Sequence, residues 1–423
     1  MWYHFVGIGG VSMRAIAAIL ESRGGKVTGS DLKTGGHSAE NIKDGIDALV
    51  YTSAVTENSP GWVEVEEARR RGIKLIKRGE MLAKIVGKNK VIAISGTHGK
   101  TTTTAMIGLT LKNAGFDPLI IVGEEVPELS GAVSFGKGKW AVIEACEYDK
   151  NFLHLHADII VVTNVEEEHL DHYPGGLPEI IETFAQFVSQ MKSGGKLIYC
   201  VDDENASIVA ELAKEKNPQI EIIGYGMNQP KDFEQLDFPL AIPGDHNRRN
   251  ALATLSVAKI LGIEKSSVEA AISDFRGAKR RFEIKGEKNG VLVIDDYGHH
   301  PTEIVALLAG VKEKYPEKKF TAIFWPHQFR RTKSLLPKFP AAFKIADKVI
   351  IKEIFLVPGR DEKLEVSGRD IVNLINQETS GKAEFIDDDN KILAYLRNNL
   401  SDKDVLVTVG IPPVYKIAEK FLK

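Results

Sequence analysis

The sequence predicts an α/β protein with three domains in series, each built on a mostly parallel sheet. Short runs rich in Val and Ile alternate with helical-period segments along the chain, as in parallel sheets covered by helices on both faces. At 423 residues, the chain is longer than one hydrophobic core usually organises. Hydrophobic residues make up 43% and charged residues 27%, which is ordinary for a folded protein.

We place the domains at residues 1–88, 89–280 and 281–423, because polar segments interrupt the alternation at 86–90 and near 279–282. The first domain contains a predicted helix at Val11–Ser22, and the last helix of the middle domain is expected to begin near Asn247. The predicted strands are Tyr3–Ile8, Lys26–Ser30, Ala48–Ser53, Val91–Ser95, Trp140–Ala145, Ile159–Thr163, Lys196–Cys200, Val291–Asp295, Phe320–Phe324, Lys348–Ile351 and Asp404–Val409.

Composition argues against several classes of function. The formal net charge is −3 and the pI is near 6.4, so no global basic field attracts nucleic acid or an anionic membrane. Cys146 and Cys200 are far apart and lack metal-ligand spacing, which favours a reducing compartment. Neither a signal peptide nor an apolar run of membrane-spanning length is visible. We therefore expect a cytoplasmic protein without membrane insertion.

The strongest chemical pattern is an apolar strand, a glycine-rich turn and a helix. Val91–Ser95 is followed by Gly96–Thr104, which reads Gly-Thr-His-Gly-Lys-Thr-Thr-Thr-Thr. Glycines let backbone N–H groups point at a phosphate, and the helix N-terminus and Lys100 add positive charge. Thr101 is placed to reach a Mg²⁺ on the phosphates. Ile94 stands where the general phosphate-binding motif has its first glycine, so the loop is a shorter variant.

Two acidic segments follow neighbouring predicted strands. Glu144–Asp149 follows one, and the next is followed by Thr163-Asn164 and then 165–172, which includes His169. In a parallel sheet, both segments fall at the carboxyl edge where the phosphate loop also emerges. Carboxylate and imidazole groups there suit a divalent metal, whereas an acidic strand end taken alone is usually a solvated turn.

The N-terminal segment Gly7–Ser12 also forms a glycine-rich turn after a strand, and Asp31 ends the next strand. This arrangement is typical of a Rossmann-like fold. Ser12 replaces the third glycine, so the nicotinamide fingerprint is incomplete and the turn fits any diphosphate, including that of a nucleotide sugar. A purely structural turn is the alternative.

Polar segments in the last third of the chain also follow strands or mark a junction. Lys279–Phe282 lies at the predicted domain junction, and Asp295–Glu303 and Pro326–Thr332 follow apolar strands. Arginine pairs strongly with phosphate or carboxylate, which fits a site that binds an anionic intermediate. Solvated surface arginines are the alternative.

Taken together, these segments resemble the Mur ligases over nearly the whole chain. Gly-Thr-His-Gly-Lys-Thr-Thr and Asp-Tyr-Gly-His-His-Pro-Thr-Glu are the specific strings, and the others support them in the same order and spacing. The supporting segments are Phe5–Gly10, Gly29–Leu32, Gly36–Asn41, Tyr51–Val55, Glu144–Asp149, Thr163-Asn164, His169–Asp171, Asp245–Asn247, Asn250-Ala251, Lys279–Phe282 and Pro326–Thr332.

The resemblance implies a Rossmann-like first domain for a UDP-sugar, a P-loop-type middle domain for ATP and Mg²⁺, and a Rossmann-like last domain for an amino acid. It implies an ADP-forming ligase of cell-wall (peptidoglycan precursor) synthesis that joins L-alanine to the lactyl carboxylate of UDP-N-acetylmuramate through an acyl phosphate. A monomer or a weak homodimer is expected.

Site residues carried over from the resemblance fall into four sets. The catalytic set is Lys100, Glu144, His169, Arg281, His299 and His327. The ATP set is Gly96, Thr97, His98, Gly99, Lys100, Thr101, Thr102, His246, Asn247, Asn250 and Arg281. The set for the UDP-sugar and the amino acid is Gly9, Gly10, Asp31, His37, Tyr297, His327 and Arg331, and the metal set is Thr101, Glu144 and His169.

This sequence departs from the family pattern in three places. The first domain is short between Leu32 and Gly36, Gln328 replaces a residue that is often basic, and 410–414 reads Gly-Ile-Pro-Pro-Val instead of Gly-Ala-Gly-Asp-Ile. Three alternatives stay open. A ligase that joins a ready-made tripeptide to UDP-N-acetylmuramate shares much of the same motif set, and the altered segment 410–414 suggests a non-catalytic nucleotide-binding regulator of the same fold. A nicotinamide-dependent dehydrogenase is more remote, because Gly7–Ser12 alone supports it.

Overall fold

Three mostly parallel sheets, each flanked by helices, confirm the predicted α/β fold class. The computed structural model describes residues 1–227, 234–357 and 361–423. The chain divides into two compact units, the first formed by residues 1–241 and 247–275 and the second by residues 242–246 and 276–423. Two of the sheets belong to the first unit and one belongs to the second.

The first sheet lies in the N-terminal part of the first unit. Its elements are β1 (Trp2–Val6), α1 (Val11–Ser22), β2 (Lys26–Ser30), β3 (Ala48–Tyr51), α2 (Trp62–Arg70), β4 (Lys74–Lys77) and α3 (Arg78–Val86). The strands are parallel in the order β2-β1-β3-β4. Phe5 and Val50 pack on one face and Val6 and Leu49 on the other, because successive strand side chains alternate between faces.

The second sheet forms the rest of the first unit. Its elements are β5 (Lys90–Ser95), α4 (Lys100–Asn113), β6 (Leu119–Val126), β7 (Gly131–Ser134), β8 (Trp140–Glu144), β9 (Ile159–Val162), α5 (Gly176–Ser189), β10 (Lys196–Cys200), α6 (Glu204–Lys216), β11 (Glu221–Tyr225), α7 (Asp245–Leu261) and α8 (Lys265–Ile272). The order is β11-β10-β9-β5-β8-β6-β7, with β7 antiparallel. One core cluster runs from Phe5 through α1 and α3 to Val91 and Ile143, so the two sheets share buried surface.

The third sheet lies in the second unit. Its elements are β12 (Glu283–Lys288), β13 (Val291–Asp296), α9 (Pro301–Lys314), β14 (Lys319–Phe324), α10 (Phe329–Leu335), α11 (Phe339–Ala342), β15 (Lys348–Ile351), α12 (Gly368–Glu378), β16 (Ala383–Phe385), α13 (Asp389–Asn399), β17 (Asp404–Val409) and α14 (Tyr415–Leu422). The order is β12-β13-β17-β14-β15-β16, with β12 antiparallel.

Most predicted strands agree with the structure to within two residues, and α1 has the predicted bounds. One expectation about the middle segment was wrong. We expected the helix near Asn247 to be the last of that domain, but α8 follows it after a turn at Gly262. The positive φ of Gly262 ends α7 and lets a second short helix begin.

Candidate functional site

The phosphate loop follows β5 directly, as predicted. Gly96 and Gly99 have φ values of +135° and +81°, which side-chain-bearing residues rarely adopt. A Cβ on Gly96 would lie 2.0 Å from Thr163 Oγ1, and one on Gly99 would lie 2.8 Å from Asn250 Oδ1. The backbone N–H of His98 donates to Asn164 Oδ1 at 2.8 Å. The loop is therefore fixed by the end of β9, and it requires glycine at both positions.

Lys100 begins α4 and is almost enclosed. Its Nζ donates to the carbonyl oxygens of Gly96 and Thr97 and lies 2.9 Å from the carboxylate of Glu147. The side chains of Lys100 and Glu147 are 12% and 5% exposed. Burial alone would raise the pKa of Glu147, but the charge of Lys100 and a hydrogen bond from His169 lower it to about 2. The loop thus presents a lysine ammonium balanced by one buried carboxylate.

Thr101 and Glu144 form a pair of oxygen donors beside this lysine. Thr101 Oγ1 donates to Glu144 Oε2 at 2.7 Å, and the backbone N–H of Gly123 donates to the same oxygen at 2.9 Å. A Cβ on Gly123 would lie 2.6 Å from that carboxylate, so glycine leaves room for it. A hydroxyl and a carboxylate are hard oxygen ligands of the kind Mg²⁺ prefers, so these residues fit the implied metal.

His169, the other predicted metal ligand, is linked to Lys100 through Glu147. Its Nε2 lies 3.6 Å from Glu147 Oε1 and its Nδ1 lies 3.7 Å from Glu168 Oε1. His169 has a left-handed backbone with φ of 57°, and the ring of Tyr148 packs edge-on against it at 5.0 Å. The strained turn aims the imidazole at the carboxylate that also holds the phosphate-loop lysine.

Two of the predicted ATP contacts on α7, Asn247 and Asn250, lie beside the phosphate loop and the start of α4. Asn250 Oδ1 accepts from Thr103 Oγ1 at 3.0 Å, and Asn250 Nδ2 donates to Asn247 Oδ1 at 3.3 Å. Both asparagines are buried, and Thr102 is buried within α4. His246, one residue earlier on the chain, belongs to the second unit.

At the carboxyl edge of the first sheet, the predicted UDP-sugar residues are held by local hydrogen bonds. The N–H groups of Gly7 and Ile8 donate to the carbonyl of Ser30, and the N–H of Gly9 donates to Asp31 Oδ2 at 3.1 Å. Gly10 immediately precedes α1. His37 Nδ1 lies 2.9 Å from Ser30 Oγ. The structure therefore brings Gly9, Asp31 and His37 to one edge of the sheet.

In the second unit, Arg281, Tyr297 and His299 form one cluster with Glu303. Arg281 Nη1 donates to Glu303 Oε1 at 3.2 Å, and His299 Nδ1 lies 3.4 Å from Glu303 Oε2. The guanidinium of Arg281 stacks over the Tyr297 ring at 5.3 Å. Burial opposes the charge of Arg281, but Glu303 raises its pKa. This arginine therefore carries a permanent positive charge in a partly enclosed site.

His327 and Arg331 form a second group in this unit. Arg331 Nη1 lies 3.2 Å from His327 Nδ1, and the imidazole stacks on Phe355 at 5.9 Å. Gln328, the predicted departure, has φ of 68° and precedes α10. The two predicted amino-acid groups thus follow β13 and β14, whose carboxyl ends lie at the same edge of the sheet.

The altered segment 410–414 is held by Arg280, which sequence reasoning did not single out. Its guanidinium donates to the carbonyl oxygens of Gly410, Ile411 and Pro412 and, at 3.0 Å, to the fully buried carboxylate of Asp295. The guanidinium also lies between the rings of Tyr297 and Tyr415, at 5.0 and 4.8 Å. One arginine therefore fixes the backbone of the segment that departs from the family pattern.

Glu147 and Glu64 are two further residues that the sequence analysis missed as site residues. Glu147 stands inside the quoted segment Glu144–Asp149, and only its burial against Lys100 distinguishes it from its acidic neighbours. Glu64 stands in a run of glutamates on α2 and is fully buried. Full burial of an acidic side chain is the signal, and it is a property of the folded chain alone.

Family models match three successive segments of the chain. Residues 2–90 match a model described as Mur ligase family, catalytic domain; residues 94–258 match the Mur ligase middle domain; and residues 280–411 match the Mur ligase, glutamate ligase domain. In the part of the chain that the structure describes, none of the helices has the length and apolar character that crossing a membrane requires.

Full-length relatives agree with these matches. A UDP-N-acetylmuramate--L-alanine ligase from Caldanaerobacter subterraneus is 39% identical, with 99% of this chain and 97% of the relative covered, and one from Geobacter sp. is 36% identical, with 99% and 96% covered. A solved UDP-N-acetylmuramate-alanine ligase from Thermotoga maritima is 26% identical, with a TM-score of 0.82 over 100% of this chain and 98% of that one. A murein peptide ligase from Psychrobacter arcticus shares the fold, with a TM-score of 0.71 at 23% identity over 100% and 98% of the two chains. The chain belongs to the Mur ligase family.

Proposed function

We propose that this protein joins L-alanine to the lactyl carboxylate of UDP-N-acetylmuramate, with ATP and Mg²⁺, in peptidoglycan precursor synthesis. The observation that carries the proposal is the phosphate loop, in which Lys100 is enclosed beside the Thr101–Glu144 pair. Relatives of full length that bear the name UDP-N-acetylmuramate--L-alanine ligase support the choice of substrates.

The chemistry demands local positive charge, because an anionic carboxylate attacks a polyanionic phosphate. A carboxylate oxygen bonds to the γ-phosphorus, and ADP leaves with the electron pair of the broken P–O bond. The amino nitrogen of alanine then bonds to the acyl carbon, loses its proton and expels inorganic phosphate. Lys100 neutralises charge on the transferring phosphoryl group, and Arg281 neutralises it on the acyl phosphate.

The metal belongs at the end of β8. Thr101 and Glu144 would hold one Mg²⁺ through their oxygen atoms, and His169 would serve a second. Bound there, Mg²⁺ would supply charge neutralisation on the phosphates. Since Glu144 already accepts hydrogen bonds from Thr101 and the N–H of Gly123, its carboxylate is oriented before any ligand arrives.

The three domains take different parts of the substrate set. Residues 1–88 bind the UDP-sugar through Gly9, Gly10, Asp31 and His37. Residues 89–280 bind ATP, with His246, Asn247 and Asn250 at the nucleoside end. Residues 281–423 bind the amino acid through Tyr297, His299, His327 and Arg331. Each group follows a strand end or lies on a helix that contacts the phosphate loop, as ligand sites in α/β folds do.

We place the enzyme in the cytoplasm as a monomer or a weak homodimer. Both cysteines are free thiols, which fits a reducing compartment. We propose no binding to nucleic acid and no insertion into a membrane.

The test is ADP release by the purified protein with ATP and Mg²⁺, with UDP-N-acetylmuramate and L-alanine supplied together or omitted singly. We expect sustained ADP release only when both are present, and the loss of it in a Lys100→Met variant. A protein that binds ATP but forms no ADP under any of these conditions would instead be a nucleotide-binding regulator.

A second candidate reaction joins a ready-made tripeptide to UDP-N-acetylmuramate. It is a candidate because a murein peptide ligase shares the fold over 100% of this chain. Small amino acids differ by one methyl or hydroxyl group, which pockets discriminate by about 1–3 kcal/mol. We therefore expect kcat/KM to favour L-alanine over glycine and L-serine by roughly tenfold or more. A higher kcat/KM for L-Ala-γ-D-Glu-meso-diaminopimelate would transfer the assignment to the tripeptide ligase.

A further inference from the structure

Glu64 is a fully buried carboxylate in the first unit, and it lies on α2 away from the phosphate loop. Both of its oxygens are saturated with hydrogen bonds. Oε2 accepts from His4 Nε2 at 2.9 Å and Ser30 Oγ at 2.7 Å, and Oε1 accepts from Asn41 Nδ2 at 2.9 Å, the N–H of Ser38 at 3.1 Å and His37 Nδ1 at 3.3 Å. An anion buried without such partners would be strongly disfavoured, so the set is built around its charge.

The donors come from two segments at the carboxyl edge of the first sheet. Ser30 ends β2, and its carbonyl accepts the N–H groups of Gly7 and Ile8 in the glycine-rich turn. His37, Ser38 and Asn41 belong to the connection between β2 and β3. The carboxylate of Glu64 therefore binds both Ser30, which holds the glycine-rich turn, and residues 37–41 beside it.

This connection is the one that the sequence analysis found to be short. Between β2 and β3 it contains one 3-10 turn, Ala39–Asn41, and no α-helix that could hold it by packing. Gly35 and Gly36 have φ values of +92° and +77°, so the backbone before His37 depends on turn geometry. Without Glu64, little else in the hydrogen-bond set would fix residues 37–41 against the sheet.

The hydrogen-bond directions also orient His37. Ser30 Oγ donates to Glu64, so the same oxygen accepts from His37 Nδ1. Nδ1 of His37 is therefore the nitrogen that carries a hydrogen in this arrangement. Its ring position follows from Glu64 and Ser30 together.

We propose that Glu64 is a positioning residue for the nucleotide-sugar substrate, holding His37 and residues 38–41 at the sheet edge without touching the substrate itself. The proposal rests on the proposed function, because it assumes that this edge binds the nucleotide sugar. Glu64 should therefore affect the affinity for the nucleotide sugar and leave the chemical step at the phosphate loop unchanged.

The experiment compares Glu64→Gln with Glu67→Gln, a matched change three residues further along α2. Glu67 is a partly exposed carboxylate paired with Arg70 and Arg71, so its change controls for loss of charge on this helix. Glutamine keeps the shape of Glu64 but places an N–H₂ group against one set of donors. We expect Glu64→Gln to raise KM for UDP-N-acetylmuramate at least tenfold, with kcat and KM for ATP within about threefold of wild type. We expect Glu67→Gln to change none of them.

Calorimetric titration of UDP-N-acetylmuramate without ATP should show the same tenfold loss of affinity. If Glu64→Gln does not fold, Asn41→Ala decides the question, because it removes one donor and leaves the carboxylate paired with the others. Unchanged KM for the nucleotide sugar in a folded variant, or a fall in kcat alone, would overturn the proposal. If the wild-type protein releases no additional ADP when UDP-N-acetylmuramate is supplied, the proposed function is refuted instead.

Discussion

Replacing Lys100 with methionine should have two separable effects, because this lysine neutralises a buried carboxylate and, as we propose, also contacts phosphate. In the variant, Glu147 would keep a side chain that is 5% exposed, with the imidazole of His169 at 3.6 Å and without the ammonium of Lys100. Breaking a buried ion pair by removing one partner costs about 3–5 kcal/mol. For a unit of this size, that loss corresponds to a decrease in Tm of roughly 6–20 °C.

The catalytic effect has a different origin. A charge-assisted hydrogen bond to phosphate contributes about 1.5–3 kcal/mol, and more when it strengthens in the transition state. Lys100→Met should therefore lower turnover by at least about tenfold to a hundredfold under conditions in which the variant is folded.

A double variant separates the two effects. Lys100→Met combined with Glu147→Gln buries two neutral side chains of similar shape, which should restore most of the lost stability. It should not restore ADP formation, since the phosphate contact is still missing. The measurements are Tm by scanning calorimetry and the initial rate of ADP release for wild type, both single variants and the double variant.

Either of two results would refute this reasoning. A Lys100→Met variant as stable as wild type would mean that the Lys100–Glu147 pair makes no net contribution to folding. Recovery of ADP formation in the double variant would mean that Lys100 acts only by balancing Glu147, and it would remove this lysine from the phosphate site.

Three further predictions concern the other clusters. Alanine at Glu144 or at His169 should abolish ADP release yet keep Tm within a few degrees, and unfolding of either variant would assign that residue a structural role. Burial opposes the ionisation of Glu64, but its hydrogen bonds, first that from His4, lower its pKa to about 2 from the model-peptide value of 4.5. This shift contributes about 3 kcal/mol of stability above pH 4.5, and the contribution is lost as the pH falls towards 2. The free energy of unfolding of Glu64→Gln should therefore fall less steeply than that of wild type between pH 4.5 and 2. Parallel plots of unfolding free energy against pH for the two proteins would contradict this. Arg280→Lys cannot reproduce the fork of hydrogen bonds, so it should raise KM for L-alanine more than KM for ATP, and equal changes in both would argue against a role at the amino-acid end.

The sequence was sufficient for the strands and loops that depend on local pattern. The run Ile159–Val162 is buried on both faces of the second sheet, and such short apolar runs are recognisable without tertiary information. The phosphate loop was equally accessible, because its glycines and the following Lys100 are adjacent in the chain. Six strands of the described residues were not predicted: β4, β6, β7, β11, β12 and β16. Strand β12 was missed because Glu283–Lys288 alternates charged with other residues at a sheet edge and carries little apolar signal. Strand β6 was missed although it begins with the apolar residues 119–122.

The buried carboxylates that position the predicted site residues could not be predicted from local sequence pattern. On α2, Glu64, Glu66 and Glu67 look alike as a charged helix, and only packing of the helix against β1 and the 37–41 segment makes Glu64 different. Glu147 is likewise one of several acidic residues after β8. Burial of a charge depends on distant partners, which neither composition nor periodicity specifies.

Three clusters predicted to bind substrates are each held by a charged group that the prediction omitted: Glu147 for Lys100, Glu64 for His37, and Arg280 for the segment 410–412. The last case bears on the amino-acid pocket. In this segment, the guanidinium of Arg280 donates to three successive carbonyl groups and is itself anchored on buried Asp295. The missing acidic residue therefore does not leave the segment loose. Glu147 and Glu64 are buried and charged, so substitutions at either are expected to change stability as well as affinity. For Glu147, the charge-balanced double variant with Lys100→Met separates the two effects, and for Glu64 the split between KM and kcat does so.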